Sequence, residues 1–257
     1  MREFLAQYMP PDYSQHGAAL DQLSAYVHWL MLILFVGWGA LFLFMLFRFN
    51  RKRHPKANYH GTKSHLSTYA EVGVLAAECV LLFGISIPAW SAWTNRPGKA
   101  ANPLEIRVVA EQFAWNIHYP GADGVFGRTD VSHLSSSNPL GLDVTDPMSK
   151  DDVITLNQMH LEVNRPVIIR LASKDVIHSF SLPVMRVKQD ATPGMEVPIH
   201  FTPVKTSQTG GAPWEIACAQ LCGLGHYRMK GQFQVHSKQE FQKWMASQQP
   251  AVTNISG

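Results

Sequence analysis

The chain contains 257 residues, of which 46% are hydrophobic and only 16% are charged. A typical soluble domain has ~25% charged residues, and the abundance of apolar residues here excludes a disordered chain. The formal net charge of +3 is too small for the basic surface of a nucleic-acid binder, so no nucleic-acid partner is expected. Three cysteines are too few for the disulfide framework of a small secreted protein.

The first apolar segment runs from Ala25 to Phe47 without an Asp, Glu, Lys or Arg. As a helix it would be roughly 35 Å long, which is enough to cross the hydrocarbon core of a bilayer. A cleaved signal peptide is the alternative, but the segment starts late, lacks a basic flank before it and is long for such a signal. We therefore predict a transmembrane helix over residues 23–48.

A second apolar segment runs from Val72 to Trp93 and contains Glu78 as its one charged residue. It carries Pro88 near its end and finishes in aromatic residues that suit the belt at a membrane interface. We predict a second transmembrane helix over residues 70–94. The chain thus begins with a two-helix transmembrane hairpin anchored in the lipid bilayer.

The connection between these helices, residues 49–69, is strongly basic. The basic residues of this loop, counted with Arg48 just before it, are Arg51, Lys52, Arg53, Lys56 and Lys63. No acidic residue occurs before Glu71. Cytoplasmic loops carry an excess of Lys and Arg, so this loop is predicted to be cytoplasmic. Both ends of the chain then lie on the opposite face, and residues 1–22 form an external N-terminal segment.

Residues 98–240 show the period-two alternation of β-strands with one buried face. The expected buried residues are Leu104, Ile106 and Val108; Val167, Ile169 and Leu171; and Met195, Val197, Ile199 and Phe201. Turn-rich stretches at 121–150 and 202–213 separate these segments. The pattern predicts an all-β sandwich or small barrel with a short helix near residues 238–246 and a loose tail after it. Residues 241–257 are assigned to the C-terminal tail.

The segment WEIACAQLCGLGHYRMKGQF places Cys218, Cys222, His226 and Met229 in a C-x3-C-x3-H-x2-M pattern. Thiolate, thioether and imidazole together select copper, whereas Met is a poor zinc ligand. We expect His178, in DVIHSF, to supply a second imidazole. Two bridging thiolates can hold two copper ions, with a backbone carbonyl completing the ligand set. Such a site suits electron transfer rather than substrate chemistry.

Two alternatives stay open for the cysteines. In an external compartment Cys218 and Cys222 can form a disulfide, or they are buried thiols without a metal. A membrane-anchored copper chaperone or thiol oxidoreductase would use the same pair, although thiol exchange requires neither Met229 nor a second imidazole.

The two apolar segments, the strand near Leu104, the motif EQFAW, the run DVIHSFSLPVMRVKQDATPG and the cysteine loop together resemble subunit II of cytochrome c oxidase over nearly the whole chain. The resemblance implies a cupredoxin-like sandwich on a membrane anchor and a binuclear copper A center. The implied ligands are His178, Cys218, Gln220 through its backbone carbonyl, Cys222, His226 and Met229.

The resemblance also implies a role and a set of partners. Such a subunit takes electrons from cytochrome c and passes them to haem in subunit I, where oxygen is reduced to water with proton translocation. It is a component of an oxidoreductase and translocase without an oxygen-reduction site of its own.

By analogy we expect a bacterial inner membrane, with the copper domain on the periplasmic face. A quinol-oxidase subunit of the same architecture is the runner-up, but that group typically lacks the copper ligands.

Departures from the family pattern affect other sites. Gln220 stands where the family commonly has a Glu that helps to bind magnesium or manganese, so that second metal is in doubt. Phe113 stands where the family has the tryptophan that receives electrons, and Trp115 is the other candidate for that route. No C-x-x-C-H haem motif is present, so the donor is expected to be a separate protein or subunit.

The remaining ionisable residues give weaker signals. Glu71 aligns with the family's Glu at the mouth of a proton path into subunit I, and an interfacial carboxylate paired with the basic loop is the alternative. Glu78 lies deeper and is expected to face a partner helix. Asp175, three residues before His178, is expected either to orient the copper loop or to be a turn carboxylate. The other histidines considered show no ligand spacing, namely His118, His160, His200 and His236.

Overall fold

The computed structural model describes residues 3–4, 7–56, 59–60, 64–95, 97–98, 101–207 and 213–255. The chain divides into two compact units, one of Met1–Met9 with Ala19–Asn95 and one of Pro10–Ala18 with Arg96–Gly257. The first unit holds two long apolar helices and the second a sandwich of two β-sheets. The predicted fold class, two apolar helices followed by an all-β sandwich, is therefore confirmed.

The first apolar helix, α1, spans Gly17–Arg48 and is long and apolar enough to cross a membrane. It begins before the predicted residue 23 because hydropathy marks the membrane core and not the polar first turns of a helix. The Ser14 hydroxyl oxygen accepts a hydrogen bond of 3.0 Å from the Gly17 N–H and so satisfies a donor at the helix start. Large apolar side chains along α1 are exposed, as expected of a surface that lipid or a partner covers.

The second apolar helix begins at Leu66, earlier than the predicted residue 70. It consists of α2 (Leu66–Cys79), a π-helical segment (Val80–Ser86) and α3 (Ile87–Thr94), and residues 66–91 meet the criteria of a membrane span. Pro88 lacks an N–H and its ring crowds the preceding turn, which accounts for the irregular bonding just before it. Lys63 of the predicted basic loop lies outside the described residues.

In the second unit, ten strands form two five-stranded sheets among the described residues. The strands are β1 (Leu104–Glu111), β2 (Ala114–Tyr119), β3 (Val153–Leu156), β4 (Gln158–Glu162), β5 (Val167–Ser173), β6 (His178–Leu182), β7 (Val187–Ala191), β8 (Val197–Phe201), β9 (Trp214–Cys218) and β10 (Lys230–His236). The sheet orders are β3-β2-β1-β5-β8 and β4-β10-β9-β6-β7. The pairs β1–β5 and β4–β10 are parallel, and the other pairs are antiparallel.

The strand alternation predicted from the sequence is largely confirmed. Every second residue of β1 and β5 is buried, beginning with Leu104 and Val167, and these residues form one wall of the core. The expected buried position of Met195 is wrong, since its side chain is 57% exposed. Met195 lies outside β8 in a turn, where its N–H donates to the Thr192 carbonyl and Gly194 has a φ of +77°. The turn breaks the alternation before the strand begins.

A long connection between β2 and β3 covers the outer face of the first sheet near His118. This side chain is fully buried and its Nε2 lies 2.8 Å from Asp152 Oδ2, which also accepts the Gly127 N–H at 2.9 Å. Burial lowers the pKa of His118 even though the Asp152 carboxylate opposes the shift. His118 thus attaches the connection to the sheet through Asp152.

The C-terminal residues differ from the loose tail expected from the sequence. Helix α4 (Lys238–Ser247) starts with a capping box between Ser237 and Glu240, and α5 (Ala251–Ile255) follows it. Phe241 is buried, and the N–H of the buried Ala251 donates to the Asp152 carbonyl at 2.7 Å. Residues 241–255 therefore pack on the sandwich, because two apolar anchors hold a segment too short to give a periodic pattern.

The N-terminal segment also joins the sandwich unit. The Tyr13 N–H donates to Val184 at 2.8 Å, and its carbonyl accepts the Val204 N–H at 2.9 Å. The Tyr13 ring stacks on Trp214 with centroids 4.7 Å apart. Residues 10–18 thus pack on the sandwich unit and belong to it.

Candidate metal centre

One end of the second sheet brings the predicted ligands together. His178 is the first residue of β6, Cys218 is the last residue of β9, and Met229 directly precedes β10. Strands β6 and β9 pair through Phe180 and Cys218, and β9 pairs with β10. The loop from β9 to β10 therefore folds back over the start of β6, which places one histidine beside two cysteines.

The side chains form a continuous chain of contacts. Cys218 Sγ lies 4.0 Å from His178 Nδ1 and 3.8 Å from Cys222 Sγ. Cys222 Sγ in turn lies 3.6 Å from His226 Nδ1 and 3.7 Å from Met229 Sδ. His178, Cys218 and Cys222 are a group whose ligand atoms lie within 4.8 Å of one another. The side chains predicted to be ligands therefore all lie in one cluster.

The backbone adds an oxygen donor to this cluster. The Gln220 carbonyl lies 3.2 Å from Cys218 Sγ, while its side chain is exposed at the surface. His178, Cys222 and Met229 are almost completely buried. Cys218 and His226 are half-buried. Two thiols, two imidazoles, a thioether and a carbonyl are a soft donor set that fits copper better than zinc or a hard cation.

The two cysteines are free thiols and not a disulfide. Their sulfur atoms lie 3.8 Å apart, well beyond the ~2.05 Å of a disulfide bond. Burial, together with the neighbouring Cys218 thiol, raises the pKa of Cys222 to about 11. Two thiolates this close repel each other in a water-poor site, and bound cations would remove that repulsion. The pair is therefore suited to hold metal ions.

Asp175 fixes the orientation of His178. Its Oδ1 lies 2.8 Å from His178 Nε2, so this nitrogen faces the carboxylate and Nδ1 faces Cys218. Partial burial opposes ionisation of Asp175, but hydrogen bonds from His178, from the Gln112 N–H and from the Val176 N–H lower its pKa overall. A carboxylate partner on the second nitrogen is the usual way to orient a metal-binding imidazole.

Gln112 links both ligand-bearing segments, a role that the sequence analysis missed. Its backbone N–H donates to Asp175 Oδ2 at 2.7 Å, and its side-chain Nε2 donates to the Cys222 carbonyl at 2.6 Å. Gly223, with a φ of +128°, allows this approach, because a Cβ there would lie 2.8 Å from Gln112 Nε2. In the sequence, Gln112 is recognisable as part of the EQFAW motif, but the motif does not show which loop the Gln112 side-chain amide contacts.

The aromatic residues of EQFAW lie at different depths. Phe113 is half-buried below the loop at Gly225, where any Cβ would collide with its ring, and Arg228 Cζ lies 5.8 Å from the ring centroid. Trp115 is fully buried and stands edge-on to His178 with centroids 6.2 Å apart. Phe113 therefore keeps some exposure beside the ligands, whereas Trp115 is a core residue.

The other residues singled out are not part of this cluster. Glu71 and Glu78 are exposed on α2 in the first unit. His160 Nδ1 lies 2.7 Å from His236 Nε2, and the His160 ring stacks on Trp244 at the opposite end of the sandwich strands. This imidazole pair was not foreseen, because the two residues are distant in sequence and meet only through the parallel pairing of β4 and β10.

Comparison with known proteins finds similar sequences in one family. Residues 104–235 match the family model for the periplasmic domain of cytochrome c oxidase subunit II. The alternative cytochrome c oxidase subunit 2 of Bradyrhizobium diazoefficiens is 32% identical over 222 residues, covering 85% of this chain and 76% of that protein. Cytochrome c oxidase subunit 2 of Synechocystis sp. is 30% identical over 155 residues, covering 60% of this chain and 36% of that protein. The solved periplasmic domain of subunit II of cytochrome oxidase from Bradyrhizobium japonicum is 28% identical, with a TM-score of 0.40, and covers 56% of this chain and 91% of that one.

Proposed function

Because the chain belongs to the cytochrome c oxidase subunit II family, we propose that it is the electron-transfer subunit of a respiratory terminal oxidase. It accepts electrons from a cytochrome c at a binuclear copper center and passes them to haem in subunit I. Oxygen reduction to water and the associated proton translocation take place in subunit I. The chain thus serves an oxidoreductase and translocase without holding the oxygen-reduction site.

The observation that carries the proposal is the contact between two free thiols, each of which also contacts an imidazole. The two copper ions would be held by Cys218, Cys222, His178, His226, Met229 and the Gln220 carbonyl. When bound, the copper pair supplies one-electron transfer. A thiol-exchange site would need the two cysteines alone, so the imidazoles and the thioether favour metal binding.

The protein surroundings would keep the ligands fixed during a change of charge. His178 and Met229 are shielded from water, Asp175 fixes the His178 ring, and Gln112 ties the Cys222 carbonyl to the turn between β1 and β2. A site whose ligands and dipoles hardly move changes its redox state with little reorganisation. This is the property that an electron-transfer subunit requires.

The routes for electrons and protons are parts of the same proposal. Electrons would arrive near Phe113, the half-buried ring beside the loop, while Trp115 would couple to the center through its contact with His178. Glu71 would stand at the mouth of a proton path into subunit I. Gln220 would weaken the magnesium or manganese site at that interface, because a neutral amide is a poorer ligand for a hard cation than a carboxylate.

We further propose that the copper domain lies in the periplasm of a bacterium and that the helices cross its inner membrane. The two candidate spans and the match to a periplasmic domain support a membrane protein with an external domain. The basic residues from Arg48 to Lys56 favour a cytoplasmic connection between the spans. The partners would be subunit I, other oxidase subunits, a cytochrome c and the surrounding lipid.

Copper stoichiometry of the purified full-length chain tests the proposal. We expect two bound copper ions and a mixed-valence electron paramagnetic resonance spectrum shared between them. Cys222→Ser should abolish that spectrum, whereas Cys79→Ser should leave it intact, because Cys79 belongs to α2 of the first unit and is not one of the proposed ligands. A protein that binds no copper, or a Cys222→Ser variant that keeps the binuclear spectrum, would show that the assignment is wrong.

A further inference from the structure

Two histidines outside the ligand cluster face each other across neighbouring strands. His160 lies in β4 and His236 is the last residue of β10, and these strands pair in parallel. His160 Nδ1 lies 2.7 Å from His236 Nε2, the two ring planes differ by 1°, and the ring centroids lie 5.0 Å apart. Ring atoms in face-to-face contact would be ~3.5 Å or more apart, so these imidazoles meet edge to edge. Both nitrogens therefore point into the same small space.

One divalent ion fits between these nitrogens after a small adjustment. Zinc binds an imidazole nitrogen at about 2.0–2.1 Å in tetrahedral geometry, which places two such nitrogens roughly 3.3 Å apart. Starting from 2.7 Å, the nitrogens would separate by roughly 0.6 Å, which a small rotation of the His236 side chain can supply. Because the two rings share nearly one plane, the ion would lie in the plane of both imidazoles, where their lone pairs are directed.

The neighbouring residues hold the His160 ring in place. The Trp244 ring of α4 stacks on it with centroids 4.1 Å apart and an interplanar angle of 12°. The hydroxyl of the buried Tyr119 accepts the His160 N–H at 2.7 Å and donates to the His160 carbonyl at 3.2 Å. A ligand whose ring and backbone are both fixed loses little freedom when it binds a metal ion.

The charge state of the pair also suits a metal ion. Burial and the proximity of His236 lower the pKa of His160 to about 4, and burial lowers the pKa of His236. Both imidazoles are therefore neutral at neutral pH, which is the form that binds metals. Glu240 lies close enough to His236 to oppose the effect of burial on its pKa, so a negative charge is at hand. Both rings are half-buried and can be reached from solvent.

We propose that His160 and His236 form a second metal site, which takes a divalent ion of the zinc class and leaves its remaining positions to water. Imidazole suits zinc, copper and nickel, whereas magnesium and calcium prefer oxygen ligands. Because β4 is the edge strand of its sheet, a bound ion would link that edge to β10. Met229 precedes the seven-residue β10 and His236 ends it, so the two sites lie roughly 20 Å apart. The inference goes beyond the proposed function and does not depend on it.

Titration of the copper-loaded full-length chain in detergent with zinc chloride, at neutral pH, tests the proposal. We expect calorimetry to show one zinc ion bound per chain, and His160→Phe and His236→Gln should each weaken this binding by about tenfold or more. Zinc at about 100 times its dissociation constant should raise the thermal unfolding midpoint by about 5 °C in the unmodified protein and leave that of His160→Phe unchanged.

Two controls accompany the titration. His133→Phe removes an exposed histidine from the connection between β2 and β3 and should leave zinc affinity unchanged. Magnesium chloride should neither bind nor shift the midpoint, because a hard cation gains little from imidazole. An unchanged copper spectrum in His160→Phe and His236→Gln would show that the sandwich is folded, so that weaker zinc binding comes from the lost imidazole.

Three results would overturn the second metal site. They are equal zinc affinity in the unmodified protein and both imidazole variants, a midpoint that zinc does not raise, and loss of zinc binding in His133→Phe as well. A chain that holds no copper would contradict the proposed function alone. Zinc bound by the free thiols would then be the same in every variant, and the difference between the unmodified protein and His160→Phe would still report on the imidazole site.

Discussion

Asp175 Oδ1 lies 2.8 Å from His178 Nε2, and this contact determines which nitrogen of the imidazole faces the cysteines. Nδ1 is directed toward Cys218 Sγ at 4.0 Å. A second segment of the chain also fixes Asp175, because the Gln112 N–H donates a hydrogen bond to its other carboxylate oxygen, Oδ2. The position of His178 therefore depends on residues of the turn after β1 as well as on its own loop.

Replacing Asp175 by alanine should weaken copper binding without unfolding the sandwich. The imidazole loses the partner that fixes its tautomer and orientation, and such losses typically reduce metal affinity 10–100-fold, or by about 1.4–2.7 kcal/mol. Copper affinity of the full-length chain, measured by competition with a chelator of known affinity, checks this expectation. Asp175→Asn is the conservative comparison, because its amide oxygen can still accept the Nε2–H but its NH2 group cannot accept the Gln112 N–H, and its affinity should lie between those of Asp175→Ala and the unmodified protein. Equal affinity in all three proteins would contradict an orienting role.

The ligand cluster was predictable from the sequence because its members follow one another at short, fixed spacing. His178 was also predictable, since its strand was recognisable and the family pattern supplied the match. Gln112 was not, because its contacts join segments that only the sandwich topology brings together. The position of α5 depends on the burial of Ala251 and on the hydrogen bond from its N–H to the Asp152 carbonyl, neither of which a hydropathy pattern encodes. The period-two pattern of buried residues likewise gave a wrong prediction for Met195, because a turn changes the direction of the chain there.

Gly225→Ala should destabilise the loop that carries the ligands. A Cβ at this position would collide with the Phe113 ring, and overpacking of this kind typically costs about 1–3 kcal/mol. The expected result is a lower thermal unfolding midpoint and faster loss of copper to a chelator. Gly98→Ala is the control, because no atom lies within 4 Å of a Cβ placed there. If both variants unfold and lose copper alike, Phe113 is not packed against the loop as described.

Gln220→Glu should leave the copper spectrum unchanged and raise manganese occupancy in the assembled oxidase. The contact to Cys218 is made by the Gln220 carbonyl, which the substitution preserves, while the exposed side chain gains a carboxylate that hard cations prefer. Manganese bound per complex, counted by electron paramagnetic resonance after growth in manganese, provides the measurement. Full occupancy in the unmodified complex would mean that ligands from other chains suffice. An altered copper spectrum in the variant would mean that the side chain, and not the carbonyl alone, acts on the center.

The imidazole pair of His160 and His236 should make the sandwich less stable in acid. Burial, followed by the proximity of His236, lowers the pKa of His160 to about 4 from an ordinary value of 6.5, and burial also lowers the pKa of His236. The unfolded chain therefore binds more protons than the folded chain between these values. The resulting stability is fully present above about pH 6.5 and is lost as the pH falls toward about 4.

Thermal unfolding of the full-length chain in detergent, followed by tryptophan fluorescence over this pH range, checks the dependence. The unfolding midpoint should fall as the pH decreases, and His160→Phe should make that fall shallower because it removes one of the two titrating rings. Phenylalanine keeps a ring that can stack on Trp244, whose centroid lies 4.1 Å from that of His160, so the packing of α4 is retained. His236 and the nearby Glu240 still titrate in the variant, and some pH dependence should therefore remain. A variant whose midpoint falls as steeply as that of the unmodified protein would show that protonation of His160 does not contribute, and that the acid sensitivity comes from another group such as the buried His118.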